Sequence, residues 1–333
     1  MLNIVRSAFS RSRATSAPVD VAARPLAVEP PIEPAVEAAG EAAPVPTVEP
    51  VPPATQSQPE GARFCSRTWV PVETAVPQRT YCQNGFVTVP KVLPPETVAN
   101  MRQVAMDLLP PNEPPFSSFM SETVLFDPAF RPIFESDALI GTLKNIFGDD
   151  FLFVNEFGLQ DSSFGGWHTD MTSAEGKGRH TFHWSPKFMT ANMAIYLQEN
   201  GDHGGGLDIV PRSYIYDDPL SKQIRIERGF SIDEFLEDEE DPWYAQGATI
   251  ASKAGDATIF HMRSRHRASP ARIRPQTQEE RKLAMFFIVG PNNEETRAYR
   301  KWLDEYDVIS NTKRPIIPDE FSSFFEARGL RMI

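Results

Sequence analysis

His168-Thr169-Asp170 offers an imidazole and a carboxylate two residues apart, and the stretch Gly255 through His266 supplies a distant imidazole, His261 or His266, about a hundred positions later. On an extended segment residues i and i+2 point to the same side, so His168 and Asp170 can reach one ion from a single rigid stretch. Two imidazoles and one carboxylate form the facial triad of a non-haem iron centre, which leaves three coordination positions open for substrates and oxygen. The chemistry expected is therefore redox chemistry at Fe(II). The same donors around zinc would serve a metal-assisted hydrolase, and a fold that binds without catalysing is a third reading. An H-x-D pair alone recurs by chance in long chains, so its surroundings must carry weight.

A second histidine pair, His180 and His183, follows directly after that segment in Arg179-His180-Thr181-Phe182-His183-Trp184. No cysteine or carboxylate stands at ligand spacing beside it, which disfavours a second metal. His180, His183 and Trp184, with Trp167 next to the first ligand, remain as candidates for substrate contact or for plain loop packing. Gly204-Gly205-Gly206 lacks a following Lys-Ser/Thr, so no phosphate cradle is expected. No Gly-x-Ser-x-Gly elbow supports a serine hydrolase.

Donors this far apart need a scaffold that folds back on itself. Gly85 to Pro90 alternates like a short strand, and prolines at Pro94 and Pro95 open a helix carrying Val98, Met101, Ala105 and Leu108 at helical spacing. A second helix is predicted over Asp137–Phe147, ended by Gly148. Strands are expected at Phe151–Phe157, Met189–Gln198, Gly206–Pro211, Ala257–Phe260 and Leu283–Val289, with closing helices at Glu294–Val308 and Asp319–Arg328. Short strands with helices at both ends predict a mainly β protein with flanking helices, a double-stranded β-helix of the jelly-roll or cupin kind.

Composition sets outer bounds. A net charge of −12 over 333 residues speaks against sequence-independent binding of nucleic acid, which needs a basic surface. The expected partner is a small-molecule substrate, and nothing in the sequence fixes an oligomeric state. Two cysteines, Cys65 and Cys82, are too few for a disulfide framework, and no apolar run reaches the length of an integral membrane segment. Residues 1–60 form a Pro/Ala/Glu-rich tail expected to be disordered, and residues 61–333 a jelly-roll domain. Within the tail, residues 1–16 hold Arg6, Arg11 and Arg13 and no acid, the pattern of an amphipathic or mitochondrial targeting segment as well as of an ordinary terminus. The location expected is cytoplasmic, or mitochondrial if that segment targets. The acidic run 233–241 reads as a solvated insertion.

Trp167-His168-Thr169-Asp170, Gly205-Gly206-Leu207-Asp208-Ile209-Val210-Pro211-Arg212-Ser213-Tyr214 and Gly255-Asp256 through His266 occur in this order. Together they resemble the phytanoyl-CoA dioxygenase family, a branch of the iron(II)- and 2-oxoglutarate-dependent oxygenases that includes ectoine hydroxylase-like enzymes. The resemblance runs from about Asn84 to Gly290 and includes the Gly-Phe-Val-Thr-Val start. Arg212 and Tyr214 stand where the family has Gly and His, so no role is carried onto them. The resemblance implies Fe(II) as cofactor, 2-oxoglutarate and O2 as cosubstrates, and His168, Asp170 and His266 as ligands, with His261 the runner-up. It places Arg281 against the outer carboxylate of 2-oxoglutarate, at a gap about four residues longer than usual; Arg272 and Arg274 are substitutes. Arginine suits that task because its planar fork donates two parallel hydrogen bonds and stays charged when desolvated. Ala268 replaces the family's small hydroxyl residue, which leaves Ser269 as the nearest hydroxyl, and Asn155 lies where related hydroxylases touch the cosubstrate. Asp170 fills a position that halogenating relatives leave open, so hydroxylation is expected.

Overall fold

The computed structural model describes residues 76–111, 119–162, 165–171, 182–216, 247–250, 252–273, 275–310 and 314–333. The expectations for the tail, the acidic run 233–241, His180 and Arg274 lie outside them. Helix α1 (Val76–Asn84) enters β1 (Phe86–Val89) through Gly85, whose φ of +83° and near neighbours, Tyr214 and Ser264, leave no space for a side chain. Helix α2 (Pro95–Leu108) starts with proline in its first turn and buries Val98, Met101 and Ala105. Its expected fourth apolar contact shifts by one residue. Leu109 leaves the helix with extended backbone and turns into the core, so Leu108 is exposed.

Strand β2 (Phe119–Ser121) precedes helix α3 (Asp137–Phe147). Both ends of α3 are local devices: the Ser136 hydroxyl accepts from the Leu139 N–H, and Gly148 ends the helix at φ +97°. There follow β3 (Leu152–Asp161), β4 (Ala191–Tyr196), β5 (Leu207–Ile209), β6 (Ala248–Ile250), β7 (Ala257–His261), β8 (His266–Ala268) and β9 (Leu283–Gly290). Helices α4 (Glu294–Ser310) and α5 (Asp319–Glu326) close the described chain.

The strands form two antiparallel sheets, one in the order β1-β7-β4-β9-β3-β2 and one in the order β6-β5-β8. A bridge between His168 and His266 adds the segment before Asp170 to the free edge of β8. The sheets face each other: Leu207 and Ile209 of the small sheet pack against Ala194, Tyr196, Phe260 and Ala284 of the large one. This is the double-stranded β-helix. The opposite face of the large sheet takes Met193, Ile195, Leu283, Met285, Phe287 and Val289 into a core with the helices. There Phe134 meets Phe153, Phe157, Phe287 and Phe325 at ring-centroid distances of 4.7–6.0 Å. Burying each such ring contributes about 1.5–3 kcal/mol. On the inner face, Tyr299, Trp302, Leu303 and Tyr306 of α4 cover Val154, Met171, Met262 and Ile288. No helix among the described residues is long and apolar enough to cross a membrane.

Candidate metal centre

Backbone pairing brings the three donors together before any side chain acts. The His168 N–H donates to the His266 carbonyl and the His266 N–H to the His168 carbonyl, each at 2.9 Å, so the imidazoles start from directly opposed positions. Their ring centroids lie 4.3 Å apart. Asp170 is pinned separately, its N–H donating to the Met262 carbonyl at 3.0 Å where the chain leaves β7. The Asp170 Oδ1 then stands 3.8 Å from His168 Nε2 and 3.6 Å from His266 Nε2, and one donor atom of each residue falls within 4.8 Å of the others.

The outer hydrogen bonds orient each donor. His168 Nδ1 lies 2.7 Å from the Gly166 carbonyl and His266 Nδ1 lies 2.9 Å from the Ser264 carbonyl. A carbonyl can only accept, so the proton sits on Nδ1 and the Nε2 lone pair points inward, the tautomer a metal requires. Burial holds the His266 imidazole down to about 4, against the pull of Asp170, so it is neutral at physiological pH. The Asp170 Oδ2 accepts from Asn192 Nδ2 at 3.2 Å, which leaves Oδ1 turned to the imidazoles. Asp170 and His266 are buried, whereas the His168 side chain is 38% exposed, so the centre opens on that side. Two imidazole nitrogens and one carboxylate oxygen fit a ferrous ion by donor type and by number.

The family model for phytanoyl-CoA dioxygenase (PhyH) matches residues 81–274, more than half of the chain. The chain belongs to the phytanoyl-CoA dioxygenase family. It is accordingly a non-haem iron and 2-oxoglutarate oxygenase, and the triad is its set of candidate metal ligands. Among curated proteins none matches the sequence. Among solved structures, the non-haem α-ketoglutarate-dependent epimerase SnoN from nogalamycin biosynthesis aligns at TM-score 0.46 and 16% identity, over 66% of this chain and 83% of that one. EctD from S. alaskensis with bound Fe aligns at 0.43 and 16%, over 64% and 75%. EvdO2 from Micromonospora carbonacea var. aurantiaca aligns at 0.41 and 15%, over 64% and 88%.

Several residues expected near the cosubstrate stand elsewhere. Arg281, expected at the outer carboxylate of 2-oxoglutarate, is buried in a two-pronged ion pair, with Nε 3.0 Å and Nη2 2.5 Å from the carboxylate oxygens of Asp161, and its Nη1 donates to Gln278. Arg102 of α2, on the helix side of the large sheet, donates to the Arg281 carbonyl at 2.7 Å. Arg281 therefore faces the helices. The physical reason is alternation along the strand it precedes, which sends neighbouring side chains to opposite faces.

The same rule moves Ser269 and Trp167. His266 points inward, so Arg267 and Ser269 point outward: Ser269 Oγ donates to Asp208 at 2.6 Å, Arg267 Nε donates to the same carboxylate at 2.9 Å, and its guanidinium lies 4.8 Å over Trp167. This cluster is on the back of the small sheet. Arg272 is on an outer turn, donating to the Gly201 carbonyl. Asn155 is buried in β3, and its hydrogen bonds run through its main chain, to the Ile333 carbonyl and from Arg314. His183 is buried beside Phe182, its carbonyl receiving Arg263, and Trp184 ends the same short turn. The runner-up ligand His261 has both nitrogens engaged, one with the Phe188 carbonyl and one with the Arg263 N–H, and stacks on Tyr214 at 4.6 Å. It is a packing residue. Asn192 was not singled out from the sequence; its signal is a polar residue at an inward position of an otherwise apolar strand.

Proposed function

We propose that His168, Asp170 and His266 ligate Fe(II), and that the enzyme hydroxylates a C–H bond of a small organic or lipid-like molecule. One oxygen atom of O2 enters the new hydroxyl and the other enters succinate, as 2-oxoglutarate loses CO2. Iron with its cosubstrate supplies the oxidising power when bound. The chain's own residues do the positioning. The Gly166 and Ser264 carbonyls fix the imidazole tautomers, and Asn192 holds the carboxylate so that one oxygen is presented. The α4 side chains Tyr299, Trp302 and Tyr306 keep water from the buried side, so the substrate approaches past His168.

The observation that carries this reading is the convergence of three donors with both Nε2 lone pairs directed inward. A zinc hydrolase would use the same donors but would be indifferent to oxygen and 2-oxoglutarate. The test is succinate release from the full-length protein with Fe(II), 2-oxoglutarate and air, across coenzyme A thioesters, amino acids and lipids. Succinate formation that rises with one substrate class, together with a product heavier by one oxygen atom, is expected. Turnover that continues without oxygen or 2-oxoglutarate would replace this reading with hydrolysis.

A further inference from the structure

Two aromatic clusters flank the large sheet, and they are built from different rings. Phenylalanine outnumbers tyrosine and tryptophan in the chain, 23 against 7 and 5, and the rings around Phe134 are phenylalanines. On the inner face α4 instead sets Tyr299, Trp302 and Tyr306 in a row, with successive ring centroids 5.6 and 5.4 Å apart. Positions three and four apart share one helix face, so the row runs about 10 Å along the axis. All three rings are buried, while Lys301 and Glu305 on the same helix are exposed. Phenylalanine would fill this space equally well. Phenol and indole differ from it in giving up an electron to a strong oxidant.

The near end of the row lies against the metal-ligand segment. Tyr299 packs in one cluster with Met171, the residue after Asp170, with Met262, whose carbonyl holds the Asp170 N–H, and with Ile288, the ladder partner of Asn192. Its hydroxyl donates to the buried carboxylate of Glu156. Burial, the neighbouring Glu156 and, more weakly, Asp170 hold the phenol well above its usual range, so it keeps its proton. Met171 and Met262 are wholly buried beside the same segment, and a thioether there is open to oxidation to the sulfoxide.

We propose that Tyr299, Trp302 and Tyr306 form an electron relay that discharges the iron centre when O2 and 2-oxoglutarate react with no substrate in place, sparing Met171 and Met262. The inference rests on the iron and 2-oxoglutarate reading above and adds a protective activity to it. In one passage the Tyr299 phenol gives an electron to the iron centre and its proton to Glu156. An electron from Trp302, with that proton returned, restores the phenol. Tyr306 refills Trp302 and releases its own phenolic proton, and ascorbate in solution restores Tyr306 by donating a hydrogen atom. Two passages, with two protons from solvent, return the centre to Fe(II), and the oxygen atom that a substrate would have taken leaves as water.

The test mixes full-length protein, loaded anaerobically with Fe(II) and 2-oxoglutarate, with oxygenated buffer and no substrate. Freeze-quenched samples are read by electron paramagnetic resonance for an organic radical per bound iron, and by peptide mass spectrometry for sulfoxide at Met171 and Met262. The native protein should form a tyrosyl or tryptophanyl radical that ascorbate quenches. Tyr299→Phe should lose that radical, and sulfoxide at both methionines should rise several-fold. Trp302→Phe should strand the radical on Tyr299, beyond quenching by ascorbate, and carries the test should Tyr299→Phe not fold. Equal radical yield and equal methionine oxidation in native and variant protein overturn the inference alone. So does a native protein that shows the visible band of the iron–2-oxoglutarate chelate but forms no radical. A native protein with no band overturns the oxygenase reading, and this inference with it.

Discussion

The two faces of the large sheet are made by the same strands and are chemically opposite. The helix side carries Met193, Ile195, Met285, Phe287 and Val289 into a phenylalanine-rich core. The inner side of those strands carries Asn192, Ala194, Tyr196 and, one step before β9, Lys282. The polar residues that reach the candidate metal site stand on the inner face among apolar neighbours such as Phe260 and Phe286, one residue out of phase with the phenylalanine-rich core. Substitutions one residue apart should therefore fail in different ways.

The largest stability effect belongs to the helix side. Phe134 is buried among the rings of Phe153, Phe157, Phe287 and Phe325, and Phe134→Ala should destabilise the fold by about 3–5 kcal/mol. Denaturant titration measures this, and the folded fraction should still bind metal. A loss of metal binding without a loss of stability would break the division between faces. The inner face sharpens it. Asn192→Ala removes one hydrogen bond to Asp170 and should weaken metal affinity or activity by roughly 10- to 100-fold, with little change in the melting midpoint. Asn192→Asp would set a second carboxylate against Asp170 and should not rescue it.

How much of this was legible in the sequence follows the range of the interaction that decides it. The bounds of α3 could be read because Ser136 and Gly148 act on their own neighbours. The convergence of His168 and Asp170 could be expected because residue type and i, i+2 spacing are properties of the chain itself. The orientation of Arg281 and Lys282 could not, since Asp161, 120 residues upstream, and Tyr196 on β4 decide it. Nothing within Arg281-Lys282-Leu283 says which face is inner. Ser269 and Trp167 were misplaced for the same reason, because the His168–His266 pairing sets their direction. Strands β2, β6 and β8 span only three residues each, too short for alternation to register. Leu108 followed the helical period, but the helix ended one residue before the core contact it was expected to make.

The central claim is that His168, Asp170 and His266 hold one ferrous ion together. Its most direct test is the iron content of anaerobically reconstituted full-length protein, measured after desalting, for the native chain and for Asp170→Ala. About one iron per native chain is predicted, from the triad found among the described residues, and almost none in a folded Asp170→Ala protein. Equal iron in the two would contradict it.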